Sequence, residues 1–261
     1  MSAEHARYYL SLSALLHGSS HILTKVLQES LPPSIVTFLR FSIGSLFFLP
    51  SLLRSTHINR FTLTQGTEIG FWLAIGFMLQ AFALENTSAA KVAFFSCLSV
   101  ILVPIFDHIE AHLMSPASSK IPLFTWNRKD TIPPLLALLG VACLEFGGAE
   151  SPTPSDFLLL LLPFSFATSF YKTGKALDCN SKAANEMGAI QLLTVSFMSF
   201  LWSFLSGEIS MLKLKLLIAK LSSRKALGML MYSGVLVTAW TTYIDQRGIF
   251  IYISIIINFS F

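Results

Sequence analysis

The chain has 261 residues, 53% of them apolar and only 12% charged, and its 18 Lys and Arg against 14 Asp and Glu give a net charge of +4. A soluble domain coats its surface with about 25% charged residues, so a water-soluble globular fold is excluded, as are a disordered chain and a disulfide-rich secreted scaffold. With 23 Phe and a mean hydropathy of +0.65, the expected class is all-α, a polytopic bundle of transmembrane helices.

The basic residues form no long tract, so no nucleic-acid partner is expected. Cys97, Cys143 and Cys179 lie far apart. They lack zinc-type spacing and read as packing residues.

A bilayer core needs roughly 20 residues of helix. Eight segments meet or approach that length: about Leu10–Leu27, Ile35–Leu53, Ile69–Leu84, Ala89–Phe106, Ile132–Gly147, Phe157–Tyr171, Met187–Leu205 and Ala226–Ile244. Several carry Gly, Ser or Thr, which suits helices packed among other helices. Pro32-Pro33 and Glu85-Asn86-Thr87-Ser88 mark tight turns after the first and third. Residues 151–155 separate the fifth from the sixth, and long polar connections cover about 107–131 and 207–225. Pro163 is expected to kink the sixth helix. The bias of Lys and Arg favours a cytoplasmic N-terminus, although the basic stretch Lys213–Lys225 runs against it. The first apolar run holds His17, His21 and Lys25 and does not read as a signal peptide.

Spans three and eight can be laid over each other, with Gly70 and Gly76 opposite Gly228 and Gly234. This suggests two units of odd span number, inverted in the membrane, with a solute site between them.

Three phrases carry a resemblance to a known family. They are Phe38-Leu39-Arg40-Phe41, the run Ala83-Leu84-Glu85-Asn86-Thr87-Ser88-Ala89-Ala90-Lys91-Val92-Ala93-Phe94, and Val103-Pro104 late in the fourth span. In these the chain resembles the drug/metabolite transporter superfamily, in its EamA-like group. Tyr232-Ser233-Gly234-Val235 and the stretch Tyr243–Gly248 look like the corresponding eighth helix. The resemblance implies a ten-helix inverted-repeat architecture and transport of a small solute by alternating access. It implies a first repeat at 10–148 and a second at 155–248. After Gly248 a second copy of the Thr-Ser-Ala phrase is expected, but residues 249–261 read as an atypical apolar tail. We therefore expect about eight of the ten helices, with the last two lacking. Transport by this chain is then in doubt. The alternative is a non-transporting binding or regulatory partner of a full-length relative.

The candidate solute-binding residues are Arg40, Gln80, Gln191, His21, Trp240 and Tyr243. Arg40 lies about five residues inside the second span, roughly 8 Å deep at about 1.5 Å per residue, where a charge is expensive and marks function by default. Snorkelling or a structural hydrogen bond is the plainer reading. His17 and His21 share a helix face, as a proton relay or as interhelical donors. Lys25 and Glu29 read as an exposed ion pair. Gln80 and Gln191 can bridge helices or line a polar cavity. Trp240 and Tyr243 can stack on a ligand or pack. Tyr171 and Lys172 read as interfacial anchors. No nucleophile elbow, phosphate loop or metal motif is present, so neither an enzyme nor a cofactor or metal is expected. The expected partners are a lipid bilayer, a small-molecule solute and, as an open option, a second copy of the chain.

Overall fold

The computed structural model describes residues 3–55, 58–114, 158–180, 183–208 and 223–246, with Leu136 and Leu139 between them. All of the regular structure in these residues is helical. The helices are α1 (Ala3–Gln28), α2 (Pro33–Arg54), α3 (Arg60–Asn86), α4 (Ala89–Cys97), α5 (Ser99–Met114), α6 (Leu161–Cys179), α7 (Ala184–Leu205) and α8 (Arg224–Met231). From α8 the chain runs into a π-helical segment, Tyr232–Trp240, and one more helical stretch to Gln246.

Five helical stretches among the described residues are long and apolar enough to cross a membrane: Pro33–Arg54, Arg60–Asn86, Ala89–Phe106, Ala184–Leu205 and Arg224–Gln246. The molecule is an all-α polytopic membrane bundle. The expected first and sixth spans are helices too, as α1 and α6. The expected fifth span, the tail 249–261, Cys143 and most of the two long connections lie outside the described residues.

Local chemistry explains where the helices depart from the expected limits. α3 starts nine residues before Ile69 because the Asn59 side chain caps it, accepting from the Thr62 N–H at 2.8 Å. α4 starts the same way, with Ser88 accepting from the Lys91 N–H. The expected fourth span breaks at Leu98, where Leu98 N–H bonds Phe95 and Ile101 N–H bonds Leu98, both tighter than α-helical. The Ser99 hydroxyl takes the Ser96 carbonyl in the same turn. Beyond the break, α5 reaches Met114, into the expected polar connection. The helical residues Leu158 and Leu159 are interrupted by a turn at Leu160, three residues before Pro163, which has no N–H to offer the Leu159 carbonyl. Pro163 itself lies in the first turn of α6.

Interhelical contacts give the helix directions. Ser55 and Glu186, Ser42 and Ser196, and Phe38 and Phe200 pair along α2 and α7, which are antiparallel. α3 and α6 are antiparallel as well, through Asn180 with Thr62, Lys172 with Glu68 and Phe166 against Gly76. α3 runs parallel to α7, and α2 parallel to α8. The main core cluster joins Phe41 and Phe48 of α2, Ala74 of α3, Ala189, Leu192 and Val195 of α7, and Ala239 of the π segment.

Glycines let these seams close. A Cβ on Gly70 would lie 2.7 Å from Thr194 Cβ and 2.9 Å from the Gln191 carbonyl oxygen. A Cβ on Gly234 would lie 2.7 Å from Ile43 Cβ and 3.1 Å from the Arg40 carbonyl oxygen. The two seats therefore have the same form. Gly70 faces a carbonyl on α7 and the residue three further on, and Gly234 faces the same pair of positions on α2. Gly76 instead meets the Phe166 ring, and Gly228 meets nothing within 4 Å. The like seats are thus Gly70 and Gly234, whereas the register read in the sequence pairs Gly70 with Gly228 and Gly76 with Gly234.

Candidate functional site

Arg40 is 3% exposed in the middle of the bundle. Its Nε donates to Thr238 Oγ1 at 2.7 Å, and its Nη1 donates to Ser20 Oγ at 2.8 Å and Thr24 Oγ1 at 3.3 Å. One side chain thereby ties α1, α2 and the π segment. The guanidinium also lies 5.3 Å from the Phe41 ring and 5.7 Å from the Phe77 ring. Cation–π attraction contributes about 2 kcal/mol at a desolvated site. None of the ion pairs formed among the described residues involves Arg40. Its third nitrogen, Nη2, makes no hydrogen bond among them. The snorkelling reading of Arg40 is therefore corrected: the side chain turns inward because hydroxyls on two neighbouring helices accept from it.

Thr238 holds its place through the π turn. Its hydroxyl accepts from Arg40 and donates to the Ser233 carbonyl, five residues back, at 2.8 Å. Wide turns of this kind recur at functional sites.

A cavity of about 10 Å³ lies against Arg40, lined also by Thr24, Thr37, Phe41, Phe77 and Gln80. That is room for about one water. Gln80 is 4% exposed, and its amide makes no side-chain hydrogen bond among the described residues. A little further along α1, Gln28 Nε2 donates to the Ala81 carbonyl at 3.1 Å, and its Oε1 has no partner. The half-buried His21, beside Ser20, has a buried Nδ1 without a partner. Arg40 and Gln80, two of the six candidates, thus line one cavity, with His21 on the adjoining turn of α1.

The other three lie apart from that cavity. Gln191 is buried at the Gly70 seat between α3 and α7, and its Nε2 lacks a partner. Trp240 is 41% exposed. Its ring sits 5.9 Å from that of Tyr243, which packs on the main core cluster.

Several sequence expectations change at the periphery. His17 is exposed and pairs across helices with Asp245 at 3.3 Å, so the two histidines of the shared face have different neighbours. Lys25 does not pair with Glu29. Its Nζ donates to the Thr87 carbonyl at the C-cap of α3, where the helix dipole favours a cation. Lys172 pairs with Glu68 at 2.8 Å. The Tyr171 hydroxyl donates to Glu110, which also takes Lys175 at 2.9 Å. Both residues read as anchors therefore hold α6 to α3 and α5.

The sequence reading missed Ser20, Thr24 and Thr238. The four-residue spacing of Ser20 and Thr24 puts both on one face of α1, a signal that was available. Nothing in the local sequence announces the π turn that brings Thr238 to Arg40.

Comparison with known proteins agrees with this architecture. An uncharacterized transporter of Archaeoglobus fulgidus is 32% identical over 157 residues, covering 60% of this chain and 45% of that protein. The chain thus matches less than half the length of that relative. Residues 7–112, which run from the first turns of α1 through α2, α3 and α4 to near the end of α5 and include the Arg40 motif, match the EamA-like transporter family. The chain is a multi-pass membrane protein in which residues 7–112 are similar to the EamA-like transporter family.

Proposed function

We propose that the protein belongs to a small-solute transport system working by alternating access, with the solute bound beside Arg40. The observation that carries this reading is the buried, incompletely paired Arg40 on the wall of an internal cavity. A buried ionisable side chain is expensive in a bilayer and marks a solute or ion pathway by default. The partners of Arg40 come from α1 and from the π segment, which belong to the two units read in the sequence, 10–148 and 155–248. Motion of one unit against the other would make and break the Thr238 contact, while Ser20 and Thr24 lie in the same unit as Arg40. The matching seats at Gly70 and Gly234 support an inverted relation of the units, since α3 on α7 repeats the packing of the π segment on α2. Arg40 and Gln80 would hold the polar part of the solute, and Phe41 and Phe77 its apolar part. His21, Gln191, Trp240 and Tyr243 would line its route. The N-terminus would face the cytoplasm, as the bias of basic residues favours.

The test is solute uptake. The full chain is reconstituted in vesicles and screened for protein-dependent exchange of labelled metabolites, with Arg40→Gln as comparison. Saturable exchange lost in the variant supports the reading. Binding without flux for any solute would leave the non-transporting partner in its place.

A further inference from the structure

This inference rests on the transport reading and names its substrate class. We propose that the solute is an organic anion whose carboxylate docks on Arg40 Nη2 and the Gln80 amide. The protonated guanidinium lies in a low-dielectric core. There an uncompensated ion costs several kcal/mol even after relaxation, unless a counter-charge and hydrogen bonds offset it. Among the described residues its partners are neutral: three hydroxyls and two aromatic faces. Those hydroxyls occupy Nε and Nη1 and leave both hydrogens of Nη2. Among the described residues Nη2 has no partner and belongs to a group lining the cavity, and the Gln80 amide, without a side-chain hydrogen bond among them, lines the same cavity. Both side chains are more than nine-tenths buried. A carboxylate has two acceptor oxygens, which these donors can serve together, and charge-assisted bonds of this type are about twice as strong as neutral ones. The Phe41 and Phe77 rings beside the charge suit a carboxylate carrying an apolar substituent. In the described conformation the cavity has room for about one water. The anion therefore enters when α1 or the π segment has moved away from Arg40.

The test uses the purified full chain in detergent micelles at constant ionic strength. Thermal unfolding is followed with added acetate, pyruvate or inorganic phosphate, and with acetamide as the uncharged match. The expected result is a saturable rise in the unfolding midpoint with a carboxylate and none with acetamide. Arg40→Gln should abolish the rise. Arg40→Lys should weaken the carboxylate about tenfold, because a point charge replaces the planar donor group. Should Arg40→Gln fail to fold, Gln80→Leu serves, since it leaves every Arg40 hydrogen bond in place. It should lower carboxylate affinity while keeping the unliganded midpoint at or above that of the wild type. The proposal is overturned by no carboxylate effect, by an equal effect of acetamide, or by a full effect in Arg40→Gln or Gln80→Leu. An effect of phosphate without one of carboxylate overturns it too, by reassigning the site to tetrahedral oxyanions. Vesicle exchange separates the two levels. Flux of an uncharged solute without carboxylate binding keeps the transporter and removes the anion. Carboxylate binding without flux does the reverse.

Discussion

Replacing Gly70 by Ala tests the packing between α3 and α7 at a single methyl group. The new Cβ would stand 2.7 Å from Thr194 Cβ, 2.9 Å from the Gln191 carbonyl oxygen and 3.0 Å from Gln191 Cα. Carbon contacts relax at about 3.5–4.0 Å, so α7 must retreat by roughly 0.5–1 Å. Two of the three atoms are backbone, so no rotamer change relieves them. A gap of that size forfeits about a quarter to a half of each dispersion contact along the seam, and overpacking of this kind costs about 1–3 kcal/mol. Against this, Ala gains about 1 kcal/mol over Gly in helix propensity. The net expectation is a loss of up to about 2 kcal/mol. Gly228→Ala is the internal control. Nothing lies within 4 Å of its added Cβ, so it should gain up to about 1 kcal/mol. Denaturant titration in mixed micelles, followed by tryptophan fluorescence or helical dichroism, ranks the two variants. A Gly70→Ala protein as stable as Gly228→Ala, or more stable, would refute the close approach of α3 to α7.

Thr238→Val removes the acceptor for Arg40 Nε and the donor to the Ser233 carbonyl, and should cost about 1–3 kcal/mol in the same titration. Thr238→Ser should restore most of the loss. Lys25→Met removes a cation from the C-cap of α3 and should cost about 1 kcal/mol, with Lys25→Arg close to the wild type. A double-mutant cycle on Glu68 and Lys172, both partly exposed, should give a coupling of about 0.2–1 kcal/mol that falls as salt is added. Cys179 is exposed at the C-terminal end of α6. With the proposed orientation, a membrane-impermeant maleimide should label it from the cytoplasmic side. Labelling from the opposite side would invert the topology.

Composition and apolar run length were enough to anticipate α2 and α7 to within a few residues, because a membrane span is written as continuous hydropathy. Polar helix ends were harder to read. The first turns of α3, Arg60–Glu68, look like a connection until the Asn59 cap is seen holding them. Arg40 and Gln80 stood out because polar side chains inside apolar runs are rare and cost free energy. That both line one cavity depends on the rotation of α2 against α3, which no single-helix pattern encodes. Gln191 looked equally good by the same criterion, yet α7 turns it to the Gly70 seat. The proposed repeat has two candidate registers, one from glycine spacing in the sequence and one from glycine packing. Glycines recur at many spacings, and only their neighbours distinguish a tight seat such as Gly234 from an open position such as Gly228.

The π segment also sets the angular phase of everything that follows it. A wide turn accommodates one residue more than the α-helical count, and each residue is worth about 100° of rotation. Tyr232–Trp240 therefore decides which way the last described turns face: Tyr243 toward the core, Asp245 toward His17, and Gln246, by its amide, toward Ala184 and Gly188 of α7. Winding the same residues as a regular α-helix, with none deleted, would remove the wide turn. It would also swing these three side chains together by more than a quarter of a turn. Arg40 would lose Thr238 in the same step, so the buried charge and the far end of the helix are kept in phase by a single irregular turn.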